Sequence, residues 1–232
     1  MSASTRPPRE RVARGPRMTL YSTTLSANGR KVMAVIRELD LEVEHEDVNV
    51  YRGEGQTPEY LALNPAGKVP TLVDGALVLW ESNAILQYLS EAHASFALSS
   101  WDPQARADIL RWLFWEAAHW QPALVRIMAE RVGQLLFPDA VRPMPNVNWT
   151  DPGAETVLAA LEDQLSRGRP FMVGSVPTLA DFSLAGMTTY FGVCEFPIGA
   201  YPAIARWLGR MRELPSWRAT QNPLWEPEGA AG

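Results

Sequence analysis

The stretch that decides the fold is Asn64-Pro65-Ala66-Gly67-Lys68-Val69-Pro70-Thr71-Leu72. Pro70 stands where a loop enters a predicted strand, and a proline there costs the strand one hydrogen-bond donor. A cis Val69–Pro70 bond would explain its use, because the Val69 N–H and C=O would then face outward and could pair with an extended peptide ligand. Cis bonds are a minority state even before proline, so a trans edge proline is the competing interpretation.

A second stretch, Leu79-Trp80-Glu81-Ser82-Asn83-Ala84-Ile85, follows a few residues later. Glu81 and Ser82 stand at the start of a predicted helix, where free N–H groups and the helix dipole favour a carboxylate ligand. The Ser82 hydroxyl could donate to that carboxylate, and Glu81 could accept from an ammonium group. The pair would therefore fit the α-amino-acid end of a small peptide, and plain N-capping is the alternative.

The pattern around these stretches predicts two domains. Asp74-Gly75 is a strong hairpin signal between two of the predicted strands. Apolar residues at helical spacing fill the segments between the other strands, and after about residue 95 the pattern is helical only. The predicted strands are 18–22, 43–50, 69–73 and 76–79; the predicted helices are 29–40, 59–63, one from Ser82, 102–131 with a bend at Pro122, 153–167, 178–189 and one from Pro202.

These elements place a four-stranded mixed sheet with helices on its faces in residues 18–93 and an all-helical domain in residues 100–222. Residues 1–17 contain five arginines, three prolines and almost no apolar periodicity, which predicts a disordered tail. An organelle-targeting peptide and a true start at Met18 are the alternatives for this segment.

Composition excludes several classes of function. The net charge of -5 and the lack of a basic stripe in the folded part argue against nucleic-acid binding. No apolar run approaches the roughly 18–20 residues of a membrane span. The single cysteine, Cys194, permits no internal disulfide, suits a reducing compartment and is interpreted as a bystander. The three histidines show no metal-binding spacing, so no metal site is expected.

Taken together, the N-P-x-G-K-V-P stretch and the E-S-x-A-I stretch resemble the glutathione-site signature of the cytosolic glutathione transferase family, over about residues 18–220. The resemblance implies a thioredoxin-like N-terminal domain, a helical C-terminal domain, glutathione as co-substrate and a homodimer. It also implies roles for single residues. Pro70 would be the cis-proline, Val69 would pair with the cysteinyl backbone, Glu81 and Ser82 would hold the γ-glutamyl end, and Lys68 with Gln56 would meet the glycyl carboxylate.

The residue that activates the thiol is expected near the end of the first strand. Ser26 stands four residues before Arg30, as the serine of theta- and phi-like members stands before its arginine, and Ser-Ala-Asn-Gly also resembles nu-type bacterial members. Ser26 is therefore the first candidate and Asn28 the second; Ser22, Thr23 and Thr24 stay open. A hydroxyl that donates to the sulfur, together with a helix N-terminus, lowers the pKa of a thiol.

The function that the resemblance implies is attack of the glutathione thiolate on a small electrophile, in a cytoplasmic, detoxifying transferase. Two alternatives are a glutathione-dependent disulfide-bond reductase and a non-catalytic scaffold of the same fold. Trp115, His119 and Trp120 are candidates for lining the electrophile pocket, with core packing as the competing interpretation.

Overall fold

The computed structural model describes residues 18–137 and 143–226, so the predicted tail 1–17 lies outside the described residues. The first domain contains four strands and three helices. In chain order they are β1 Met18–Ser22, α1 Ala27–Glu38, β2 Val43–Asp47, α2 Pro58–Leu63, β3 Thr71–Asp74, β4 Leu77–Trp80 and α3 Ser82–Tyr88. Among the described residues, all strands precede residue 81.

The sheet is mixed, in the order β2-β1-β3-β4. β1 pairs in parallel with β2 and antiparallel with β3, and β3 and β4 form the predicted hairpin. Leu20 of β1 stands opposite Leu72 of β3, and both are buried. Both belong to one apolar core with Val32 and Val35 of α1 and Ile85 of α3. The predicted four-stranded mixed sheet is confirmed.

Two predicted strand boundaries are wrong by two residues or more, and the ends of β4 and the end of β3 differ by one residue. β2 ends at Asp47 instead of residue 50, because the Asn49 side chain accepts from the Tyr51 N–H and starts a 3₁₀ turn. β3 begins at Thr71 instead of residue 69, since Val69–Pro70 belongs to the loop that leads into the strand.

The second part of the chain is helical throughout its described residues. Its helices are α4 Pro103–Trp115, α5 Gln121–Leu136, α6 Pro152–Ser166, α7 Leu179–Thr188, α8 Pro202–Glu213 and α9 Pro215–Arg218. No helix in the part of the chain that the structure describes is both long and apolar enough to cross a bilayer.

The long helix predicted for 102–131 is interrupted at a different place from the one expected. A π-helical turn, Glu116–Trp120, separates α4 from α5, and Pro122 lies in the first turn of α5. Proline has no N–H and its ring crowds the carbonyl of the preceding turn, so the turn before Pro122 widens. The predicted bend at Pro122 is thus replaced by a wider turn that ends two residues before it.

The predicted capping box at the start of α7 is present. The fully buried Asp181 carboxylate accepts from the N–H groups of Met172 and Thr178 and from the Trp207 indole. It therefore ties a loop, the start of α7 and α8 together at the centre of the helical domain. α7 in turn packs along α1, which brings the two domains into contact beside the first turn of α1.

Candidate active site

A pocket of about 170 Å³ lies where the two domains meet. It is bounded by the first turns of α1 and α3, the loop before β3 and the π-helical turn. Six of the eight residues predicted for the site line it: Asn28, Lys68, Val69, Pro70, Glu81 and Ser82. Ser26 and Gln56 are the two that do not.

The Val69–Pro70 peptide bond is cis, as the resemblance implies. The loop before it is fixed by polar side chains that meet at the Lys68 carbonyl. That oxygen accepts from the Tyr60 hydroxyl at 2.7 Å and from the Asn64 amide at 2.8 Å. Both side chains also bond Thr71 at the start of β3. Because these groups are almost fully buried, the backbone that enters the pocket is held in a single position.

Glu81 has a backbone conformation that is uncommon outside glycine. Its φ of 73° places it in the left-handed half of backbone space, immediately before α3. Backbone outliers of this kind cluster at ligand sites, where the surrounding structure enforces them. The conformation leaves the Glu81 side chain exposed at the pocket and begins α3 at Ser82.

Gln56 lies beside the pocket without lining it. A side chain built at Gly67, whose φ is +62°, would bring its Cβ within 2.3 Å of the Gln56 amide nitrogen. Gln56 therefore packs against the backbone immediately before Lys68, and both of these side chains are exposed. Gln56 thus lies on the side of the loop before β3.

Ser26 is the N-cap of α1. Its hydroxyl oxygen accepts from the Gly29 N–H at 3.2 Å, and the residue is 8% exposed. This bond leaves the hydroxyl proton available to another acceptor. Of the other hydroxyls in the turn, Thr24 accepts from Asn222, and Ser22 is fully buried without a hydrogen-bond partner among the described residues.

Sequence reasoning missed a buried ion pair at the wall of the pocket, which its carboxylate, Glu116, lines. The Lys31 ammonium lies 3.1 Å from the Glu116 carboxylate, and neither side chain is more than 1% exposed. Asn83 joins them, since it accepts from Lys31 at 2.9 Å and donates to Glu116 at 2.8 Å. Burial lowers the pKa of Lys31, and the Glu116 charge opposes that shift. One sequence signal could have predicted that Lys31 is buried: it stands next to Val32 on the apolar side of α1.

Comparison with known proteins decides the family. Residues 16–91 match the family described as "Glutathione S-transferase, N-terminal domain", and residues 152–210 match "Glutathione S-transferase, C-terminal domain". "Glutathione S-transferase 3" of Zea mays is 31% identical over 88% of this chain and 92% of its own length. The chain belongs to the glutathione transferase family.

Other members are similar over most of this transferase. "Glutathione S-transferase D7" of Drosophila melanogaster is 28% identical, over 90% of this chain and 91% of its own length. The solved structure of the Bombyx mori glutathione transferase BmGSTD1 superposes with a TM-score of 0.78 at 26% identity, covering 90% of this chain and 94% of that one. The thioredoxin-like and helical domains expected from the sequence are thereby confirmed.

A second, mostly apolar pocket of about 260 Å³ lies further along α5 of the transferase. Gln121 lines the first pocket and Val125, one turn further along α5, lines the second, so the two pockets are neighbours along this helix. The second pocket is lined by Tyr51, Val125, Met128, Ala129, Val132, Gly133, Leu136, Phe137, Met187 and Tyr190.

The three aromatic candidates for lining an electrophile pocket lie elsewhere. Trp120 is fully buried and its indole donates to the Leu184 carbonyl at 3.1 Å, so it belongs to the core. Trp115 stacks on Trp120, and His119 is exposed. None of the three lines either pocket described above. Helical spacing alone did not reveal that the π-helical turn changes which side chains face the pockets.

Proposed function

We infer that this chain is a glutathione transferase that binds glutathione in the 170 Å³ pocket and activates its thiolate for attack on a small electrophile. One observation carries the inference. Residues far apart in the sequence, Asn28, Val69 and Glu81, line a single pocket at the starts of two helices. Their chemistry matches a short peptide with an amino-acid group at one end.

Each part of glutathione has a complementary group in this proposal. The exposed Glu81 carboxylate accepts from the γ-glutamyl ammonium, and the Ser82 hydroxyl with the N-terminus of α3 holds the γ-glutamyl carboxylate. The Val69 N–H and C=O pair with the cysteinyl backbone. Lys68 holds the glycyl carboxylate, with Gln56 beside the preceding Gly67. The ligand thus spans the pocket from α3 to the loop before β3.

The sulfur then lies near the first turn of α1, where we propose that Ser26 donates to it. The Ser26 oxygen already accepts from the Gly29 N–H, which polarises its O–H bond and makes it a better donor. A hydrogen bond to a charged group contributes about 1.5–3 kcal/mol, equivalent to about one to two pKa units of the thiol. Asn28 is the second candidate, since it lines the pocket directly.

The co-substrate fits the apolar pocket along α5. Its lining is almost entirely aliphatic and aromatic, with the Tyr51 and Tyr190 hydroxyls as polar groups. An uncharged, apolar electrophile is therefore expected there. In the reaction, the thiolate sulfur forms a bond to an electrophilic carbon, the bond to the leaving group breaks with its electron pair, and the leaving group departs as an anion.

The proposal also covers the role of the protein in the cell, its location and its oligomeric state. We expect a detoxifying role in the cytoplasm, because an apolar electrophile pocket and a lone cysteine suit that setting. We also expect a homodimer; exposed apolar side chains on β4 and α4, among them Trp80 and Phe114, offer it a surface. Cell fractionation and analytical ultracentrifugation test these two points.

The decisive experiment measures binding and turnover on the same preparation. Calorimetry with millimolar glutathione should detect saturable binding, and conjugation of a chloronitrobenzene should be catalysed. A parallel assay with a glutathionyl disulfide separates transferase from disulfide reductase. No heat of binding and no turnover in either assay would contradict the proposal, whereas binding without turnover would favour the scaffold.

A further inference from the structure

The Tyr190 hydroxyl, from the helical domain, is bonded on both sides of Ser26. It accepts from the Ala27 N–H at 3.0 Å and donates to the Leu25 carbonyl at 3.0 Å. Residues 25 and 27 are the direct neighbours of the candidate thiol-activating serine. The Tyr190 oxygen, more than 160 positions away in the sequence, therefore fixes the backbone before and after Ser26.

Tyr190 has little freedom to move. It is 7% exposed, its ring lies edge-on to Trp225 with centroids 5.0 Å apart, and its hydroxyl interacts with that of Tyr51. Burial raises the pKa of Tyr190 far above its ordinary value. The hydroxyl consequently stays neutral and keeps its proton at any physiological pH, so it can hold both hydrogen bonds at once but cannot serve as a base.

The two bonds also decide which amide groups remain for a ligand at the start of α1. The Ala27 N–H is taken by Tyr190, and the Gly29 and Arg30 N–H groups are taken by the Ser26 side chain and carbonyl. The Asn28 N–H has no hydrogen-bond partner among the described residues. Counting partners in the described ranges alone, the first turn of α1 presents one free backbone N–H, that of Asn28, and its direction depends on how Tyr190 holds residues 25–27.

We propose that Tyr190 is a positioning residue for thiol activation. Its hydroxyl holds the Leu25–Ala27 backbone so that the Ser26 hydroxyl and the backbone N–H of Asn28 point at the glutathione sulfur. The proposal rests on the proposed function, since it concerns the same thiolate. Hydrogen bonds weaken steeply when the donor is displaced by a fraction of an ångström. If Tyr190 did not hold this backbone, the Ser26 hydroxyl would stabilise the thiolate less, and the pKa of the bound thiol would be higher. Glutathione binding itself depends on Val69, Glu81 and Ser82, which Tyr190 does not touch.

Tyr190→Phe tests the proposal, because it removes only the oxygen and keeps the ring against Trp225. The pKa of bound glutathione, followed through the ultraviolet absorbance of the thiolate, should rise by about one unit, and turnover at neutral pH should fall about tenfold. The Kd of glutathione, measured at a pH low enough that the bound thiol is protonated in both proteins, should stay within about twofold, because its binding groups are unchanged. A residue of purely structural importance would lower thermal stability without moving the thiol pKa.

The matched control is Tyr201→Phe, a tyrosine of the same domain whose ring stacks on Phe196 and which lines neither pocket. It should leave turnover and the thiol pKa unchanged. A double-mutant cycle with Ser26→Ala adds a second readout, because Tyr190→Phe should have little further effect once the Ser26 hydroxyl is gone. Fully additive effects would show that Tyr190 does not act through Ser26.

If Tyr190→Phe does not fold, an ester in place of the Ala27 amide, made with lactic acid at position 27, removes one of the two bonds and leaves the tyrosine in place. The same rise in thiol pKa is expected. An active wild-type enzyme whose thiol pKa is unchanged by either variant would overturn the role of Tyr190 alone. A wild-type protein that neither binds nor conjugates glutathione would instead refute the proposed function.

Discussion

The Ser82 hydroxyl donates a hydrogen bond to the Asn28 side-chain oxygen over 3.3 Å. This bond connects the first turn of α3 to the first turn of α1, so the two positively polarised helix starts are directed at one pocket. The γ-glutamyl carboxylate proposed for Ser82 would compete with Asn28 for the same proton. Ligand binding would thereby release the Asn28 side chain next to the sulfur.

The two candidates for thiol activation can be separated by substitution. Ser26→Ala should reduce turnover by about tenfold to a hundredfold, because it removes a charge-stabilising donor worth about 1.5–3 kcal/mol. The Kd of glutathione should change only a few-fold. Steady-state kinetics with Asn28→Ala as the comparison variant measure this; a larger loss in Asn28→Ala would assign the sulfur contact to Asn28.

Glu81→Ala should weaken glutathione binding and leave the rate at saturation largely intact. The side chain is proposed to contact the ammonium group, which is remote from the reacting sulfur, so its interaction is equal in the ground and transition states. Calorimetry should show Kd raised by about tenfold or more, in line with a charged hydrogen bond. Glu59→Ala, an exposed glutamate of α2 that does not line the pocket, is the matched control.

Lys31→Met should destabilise the protein by about 3–5 kcal/mol, because it leaves the Glu116 carboxylate buried without its cation. The double variant Lys31→Met, Glu116→Leu should recover most of that loss, since neither charge is then buried. Urea unfolding of the wild type and the two variants measures both effects. Equal stability of Lys31→Met and wild type would mean that Glu116 is neutralised in another way.

Cys194 should be inert in the folded protein. It is 1% exposed, and burial raises the pKa of its thiol to about 11. A thiol-reactive probe at about pH 8 should label it only after unfolding, because the thiolate is the reactive form. Mass spectrometry before and after denaturation provides the measurement, and Cys194→Ala should retain full transferase activity. Rapid labelling of the native protein would contradict the buried position.

Tyr88 should make stability fall at alkaline pH. Its hydroxyl donates to Asp74 at 2.6 Å, and this hydrogen bond, with burial, raises the pKa of Tyr88 from 10.0 to about 12. A raised pKa in the folded state contributes stability that is fully present below pH about 10 and is lost as the pH rises through about 12. The free energy of unfolding should therefore fall more steeply in this range for wild type than for Tyr88→Phe. Parallel slopes would argue against the Asp74 bond.

The sequence predicted the fold and most of the pocket because both depend on local signals. The Asp74-Gly75 turn specifies the hairpin, and the loop before Thr71 and the start of α3 are each readable as motifs. What it did not predict depends on contacts between distant segments. The sequence around Ser26 contains no signal that predicts its neighbours' hydrogen bonds to Tyr190. Lys31 and Glu116 form their ion pair only because the fold brings α1 and the π-helical turn together.

The π-helical turn was also unpredictable from periodicity, because it inserts a residue into an otherwise regular helical pattern. Its effect is to bury the Glu116 side chain at the wall of the pocket, which Ala117 and Gln121 also line. Of the three aromatic candidates for the electrophile pocket, Trp120 is part of the core, Trp115 stacks on it and His119 is exposed.

Arg30 and Lys31 are consecutive, both fully buried, and each is paired with a carboxylate outside its own domain: Glu226 for Arg30 and Glu116 for Lys31. A chimera that joined this thioredoxin-like domain to the helical half of a relative would have to import both acids as well as the surface around them. The two domains can therefore be exchanged between relatives only if both ion pairs are preserved. Recombination at the domain junction should yield insoluble proteins when the incoming half lacks these acids.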